Sequence, residues 1–119
     1  MVVFTVDETV WSRELAPLAG FYPSVFVGVP WWFLDAPDAI GRLGAAVTET
    51  AGFTRTSGIV DDTRAFCSIP AIPARHDMAR RLDAGYLARL VAEHRLDETA
   101  AAAIAADLAV RQPTRVFKL

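Results

Sequence analysis

The run Val25-Phe26-Val27-Gly28-Val29 does most to narrow the fold, with Pro23 shortly before it and Pro30 directly after. Apolar residues on both alternating faces describe a strand covered on both sides, as in parallel sheets with helices packed above and below. Proline has no amide hydrogen, so Pro30 ends the hydrogen-bonding ladder. Two shorter runs share this character. Val2 to Val6 is β-branched and aromatic and stops at Asp7-Glu8-Thr9, and Gly58-Ile59-Val60 leads into Asp61-Asp62.

Helical patterns separate these runs. Glu14 to Ala19 reads as one or two turns closed by Gly20. Asp35-Ala36-Pro37 reads as a helix start, an acidic cap with proline in the first turn, and Ile40, Leu43, Val47 and Ala51 follow at helical spacing up to Gly52. A longer helix is expected from about Ala74 to His94, with Met78, Leu82, Tyr86 and Leu90 on one stripe. Asp97 caps an alanine-rich helix that Pro113 is expected to end. The order is α/β in type, with strands paired in parallel through right-handed crossovers. Three short strands make a poor free-standing parallel sheet with two open edges, so the pieces read as the closing segment of something larger.

Composition agrees. Hydrophobic residues make up 53% of the 119 residues, high for a chain this short, whose residues lie mostly near the surface. The excess implies a face that expects a partner or a further part of the same fold. The longest apolar run, Phe21 to Leu34, is broken by Pro23, Ser24, Gly28 and Pro30, short of the roughly 20 residues of a membrane span. The first eight residues lack the basic region of a signal peptide. A single cysteine, Cys67, excludes an internal disulfide and fits a cytoplasmic location. A net charge of −2 gives no reason to expect nucleic acid as a partner.

Two segments carry candidate chemistry: Asp61-Asp62-Thr63-Arg64-Ala65-Phe66 and Val29-Pro30-Trp31-Trp32-Phe33. Each puts polar or aromatic groups just past a strand end, where parallel α/β barrels do their chemistry. Asp62, two residues before Arg64, suits proton transfer beside an anion-holding guanidinium. Asp61 is a like charge able to raise the pKa of its neighbour, though adjacent strand residues point to opposite faces. The plainer alternatives are a surface ion pair or a helix cap for Asp62 and Arg64, and core packing for one of Trp31 and Trp32. His76-Asp77 reads first as a helix start, Arg80 and Arg81 as helical partners of Asp77, and Cys67 as a packed thiol.

A family resemblance rests on these residues. Val3 to Asp7, Ser12 to Gly20, Pro30-Trp31-Trp32-Phe33, Thr48-Glu49-Thr50-Ala51-Gly52-Phe53, Asp61 to Pro70, Pro73-Ala74-Arg75-His76-Asp77 and Leu90 to Glu98 resemble the C-terminal part of uronate (glucuronate) isomerase. That family belongs to the amidohydrolase-like barrels. The resemblance implies that residues 1–119 form about the last three strands, with their helices, of a (β/α)8 TIM-type barrel, and not a complete barrel. It implies an aldose–ketose isomerase of carbohydrate metabolism that interconverts D-glucuronate with D-fructuronate and D-galacturonate with D-tagaturonate. Asp62 then matches the catalytic acid after the eighth strand and Arg64 a catalytic, substrate-binding arginine. Trp31 or Trp32 matches a substrate-facing tryptophan after the seventh strand. A divalent metal, zinc in many relatives, would use Asp62 together with histidines of the first strand.

The departures are equally specific. The family's His-x-His pair is absent, and His76 and His94 do not reproduce its spacing. Ile69-Pro70-Ala71 is repeated at once as Ile72-Pro73-Ala74. A full barrel takes roughly 250 residues. The chain is therefore expected to be inactive without the remaining N-terminal barrel segment, which would be its partner, alongside the uronate sugar; self-association through open strand edges into a homo-oligomer is the other expected partnership. The alternatives are a non-catalytic remnant or interaction module, and a split enzyme completed by a second polypeptide.

Overall fold

The structure, a computed structural model, describes residues 1–61 and 72–119. It is a mixed α/β fold, mostly helical, around a small parallel sheet. Strand β1 (Val2–Val3) pairs with β2 (Phe26–Val27), Val2 opposite Phe26 and Val3 opposite Val27. The connection between them is a wide π-type turn, Trp11–Leu15, running directly into helix α1 (Ala16–Phe21). Helix α2 (Pro37–Ala51) follows β2 and leads to a third extended segment, joined to the sheet by a parallel bridge between Val27 and Thr56. Helices α3 (Ile72–Ala92), α4 (Glu98–Ala106) and α5 (Gln112–Phe117) complete the described chain. Among the described residues no helix is long and apolar enough to cross a membrane.

The core forms where α1 and α2 cover the sheet. Trp11, Leu15, Val27, Leu43 and Val47 are buried together there. Three of the four α2 residues expected to face the core, Ile40, Leu43 and Val47, are buried, and Ala51 is partly so. Arg55 ties the layers together. Its Nε donates to the Ala19 carbonyl at 2.6 Å and its Nη2 to the Tyr22 carbonyl at 2.7 Å, while the guanidinium lies over the Phe26 ring. Carbonyls at the end of α1 thus gain a cation from outside the helix.

Several elements depart from the sequence expectation. The third segment pairs at Thr56 rather than over Gly58–Val60, because Gly58 sits at φ +71° and leaves the extended conformation. A Cβ at Gly58 would also lie 2.6 Å from Pro113 Cγ, so the position needs glycine twice over. Gly20 does not close the first helix, which runs on to Phe21. Asp35 does not cap α2; the capping position is Ala36, with Pro37 in the first turn and no side-chain cap. Asp97 does cap α4, accepting from the Ala100 amide at 2.8 Å.

Pro113 does not end the last helix. A π turn, Asp107–Arg111, precedes it and shifts the hydrogen-bond register. The proline then falls in the first turn of α5, where its missing N–H is not needed. On α3 the buried residues are Ala79, Leu87 and Leu90, whereas Met78, Leu82 and Tyr86 are only half-buried. Arg75 and Asp83, each four residues from Ala79, fall on the inward stripe. Asp83 lines a small cavity of about 70 Å³ with Val27, Ile40, Leu43, Gly58 and Leu108. Burial pushes its carboxyl up to about 6.

Candidate functional site

The strands run in parallel, so their C-terminal ends collect on one side. The Gly28 amide donates to the Val3 carbonyl at 2.8 Å, and the Trp31 amide to the Thr5 carbonyl at 3.1 Å. The ladder therefore carries past Pro30 and brings Thr5 and Trp31 level. The Ser57 amide donates to the Val27 carbonyl, aligning Thr56 and Ser57 with β2.

An open cleft of about 430 Å³ lies at these ends, lined by Phe4, Thr5, Val6 and Trp31. Its wall depends on Gly28. A Cβ there would stand 2.4 Å from the Phe4 ring, so only glycine lets Phe4 lie flat on the strand and meet Trp31 at 5.3 Å between ring centroids. The two tryptophans are placed differently. Trp31 is half-buried and forms part of the cleft. Trp32 is 79% exposed, at φ +55°, and its ring stands beside Phe33 rather than Phe4. A left-handed backbone at a bulky residue costs about 1 kcal/mol or more and marks a constrained turn.

Asp62 and Arg64 lie outside the described residues, as does Cys67. Among the described residues the structure brings together a cluster that no local sequence pattern assembles. Arg75, in the first turn of α3, donates from Nη2 to Asp35 Oδ2, and its Nε stands 3.4 Å from Asp61 Oδ2. All three side chains are at least 70% shielded from solvent, with exposures of 28% for Arg75, 25% for Asp35 and 12% for Asp61. The hydrogen bond that Arg75 donates to Asp35, and then the charges of Asp35 and Asp61, raise the Arg75 guanidinium above its ordinary value. Asp61 is therefore not a bare like charge beside Asp62, because Arg75 offsets it. The sequence signal was the surplus of acids at two strand ends, each read locally, with a cation in a third segment.

His76 and His94 do not join this cluster. His94 sits at φ +55° at the end of α3, and Asp77 pairs with Arg81 one turn along the same helix. Among the described residues no group of three histidine, cysteine or acidic side chains stands close enough to hold a metal ion.

Comparison with known proteins places this arrangement. The glucuronate isomerase family model matches residues 1–117. A uronate isomerase of Cutibacterium acnes is 62% identical over 119 residues, covering the whole of this chain and 25% of the relative. One from Corynebacterium efficiens is 60% identical over 118 residues, 99% of this chain and 24% of the relative. The crystal structure of glucuronate isomerase from Caulobacter crescentus superimposes with a TM-score of 0.91 at 54% identity, over 98% of this chain and 24% of that one. The fold also matches a uronate isomerase from Thermotoga maritima at a TM-score of 0.88. The chain spans about a quarter of the length of the curated relatives it matches. With the family model matched over nearly every residue, the chain belongs to the glucuronate (uronate) isomerase family.

Proposed function

We propose that residues 1–119 supply the closing strands of a (β/α)8 uronate isomerase barrel and that its catalytic acid, Asp62, is carried here. The observation that carries this reading is that the parallel pairing brings Thr5 and Trp31 level, with Thr56 bridged to Val27 and Asp61 3.4 Å from the arginine that holds Asp35 beside the tryptophan turn. Barrel enzymes assemble their active sites at the C-terminal ends of their strands. In the reaction, a carboxylate takes the proton from C2 of the open-chain uronate and the aldehyde oxygen gains one, giving an enediol. Loss of the O2 proton and return of a proton to C1 complete the ketose. Asp62 acts as base and then acid, which needs its affinity for protons tuned toward neutrality. Arg64 holds the substrate carboxylate or the developing enediolate through paired N–H donors. Trp31, already part of the cleft, supplies an apolar wall, and Trp32 a second aromatic surface at the rim.

A divalent ion such as zinc would take Asp62 and donors from elsewhere in the barrel, where it would polarise the sugar oxygens. The described residues do not form a ligand set by themselves, so no step is assigned to it. The test is to produce this chain together with the remaining three quarters of the Cutibacterium acnes relative as a second polypeptide, and to follow conversion of D-glucuronate and D-galacturonate. Turnover that needs both polypeptides, and that is lost with Asp62→Asn, supports the reading. A stable complex without turnover overturns it in favour of a non-catalytic interaction unit.

A further inference from the structure

We propose that Arg75 is a positioning residue of this site: its guanidinium, held between Asp35 and Asp61, sets the spacing between the strand end that carries the tryptophans and the strand end that continues into Asp62. The proposal rests on the isomerase reading above. It starts from three groups on three separate pieces of chain. Asp35 closes the short 3₁₀ turn Trp32–Leu34, and its own amide donates to the Trp32 carbonyl at 3.0 Å, so a shift of Asp35 is a shift of the tryptophan turn. Asp61 directly precedes Asp62 in the chain. Arg75 is fixed by the first turn of α3.

The geometry calls for arginine in particular. Nη2 donates to Asp35, while Nε stands 3.4 Å from Asp61 Oδ2 in an ion pair without a hydrogen bond, so one rigid plane brings its charge to two carboxylates. A lysine ammonium is a compact point charge on a flexible stem and cannot fix both partners at once. Without the guanidinium, the cation that links Asp35 to Asp61 is gone, and nothing in the bridge holds the two strand ends at their spacing. An ångström of misplacement in a catalytic constellation lowers turnover by orders of magnitude while leaving the fold intact.

The test uses Arg75→Gln and Arg75→Lys with two readouts. In the chain itself, the indole N–H resonances of its three tryptophans report separately, since Trp11 is buried beneath α1 and α2 and serves as the control for the fold. Arg75→Gln is expected to move the Trp31 and Trp32 resonances and leave Trp11 in place, with Arg75→Lys between the two. In the two-polypeptide isomerase, kcat is expected to fall at least tenfold with KM little changed, with partial recovery in the lysine variant. Unmoved Trp31 and Trp32 resonances, or a shift of Trp11 along with them, would show a bridge that serves general stability alone and would overturn the proposal. So would an undiminished kcat. If the unaltered pair of polypeptides shows no turnover, the isomerase reading fails, and the tryptophan resonances still decide whether Arg75 sets the spacing.

Discussion

Asp83 is an acid on the buried stripe of α3, facing Leu43, Ile40 and Leu108 across a cavity too small to hydrate it fully. Desolvation moves its carboxyl from an ordinary 3.8 up to about 6. The folded chain therefore holds this proton more tightly than the unfolded chain does. Stability from this group is complete below about pH 4, declines as pH rises toward 6, and stays reduced above that. The gap between 3.8 and about 6 corresponds to at most about 3 kcal/mol at pH 7, less whatever solvent reaching the carboxyl restores. Asp83→Asn keeps the shape and removes the charge. Urea unfolding of both proteins from pH 3.5 to 8 should give matched stabilities at the acid end and an advantage of about 2–3 kcal/mol for the amide at pH 7. Asp7, Glu8 and Asp77, whose carboxyls are lowered by hydrogen bonds, slope the opposite way but are common to both proteins and cancel. A difference that stays flat across this range would refute the assignment of a strained proton to Asp83.

Gly58→Ala should cost about 2–4 kcal/mol by denaturant unfolding, from the left-handed backbone and the collision with Pro113, and trimming Pro113 to alanine should recover only the collision. Gln112→Ala should cost about 2 kcal/mol, because the Gln112 amide nitrogen donates to both the Thr54 and Thr56 carbonyls at 2.6 Å and both would lose a donor. Trp32→Gly should leave thermal stability unchanged or raise it by about 1 kcal/mol, since its backbone is left-handed and its ring exposed. A clear loss of melting temperature there would show that the indole holds the turn together.

Much of this architecture was legible where one residue type has one dominant use. The strand around Val27, the stop at Gly52 and the cap at Asp97 all follow from local chemistry, and the structure has them. The failures come from neighbours, near or far along the chain, that a local pattern does not show. Asp35 reads as a cap until Arg75, 40 residues later, claims its carboxylate. Pro113 reads as a helix end until the π turn before it supplies a new register. Gly58-Ile59-Val60 reads as strand until Pro113 presses on Gly58. The α3 stripe was misplaced because an acid and an arginine occupy inward positions that a hydrophobic pattern leaves out. In the candidate site, sequence named the tryptophan pair and the acidic run, whereas the link between them is an ion-pair bridge no spacing rule encodes.

The grip of Arg55 on the end of α1 has a consequence in time. The Ala19 carbonyl accepts from Arg55 Nε, 36 residues further along the chain. At a synthesis rate of roughly 5–20 residues per second, that donor arrives roughly 2–7 seconds after the helix has emerged. During that interval α1 is a six-residue segment with no basic residue in its last turn, too short to persist by its own propensity. The first half of the molecule therefore lacks one of its ties until residue 55 has been made. Its opening helix is completed only after α2 has been made, and β2 is clamped by the same side chain in the same event.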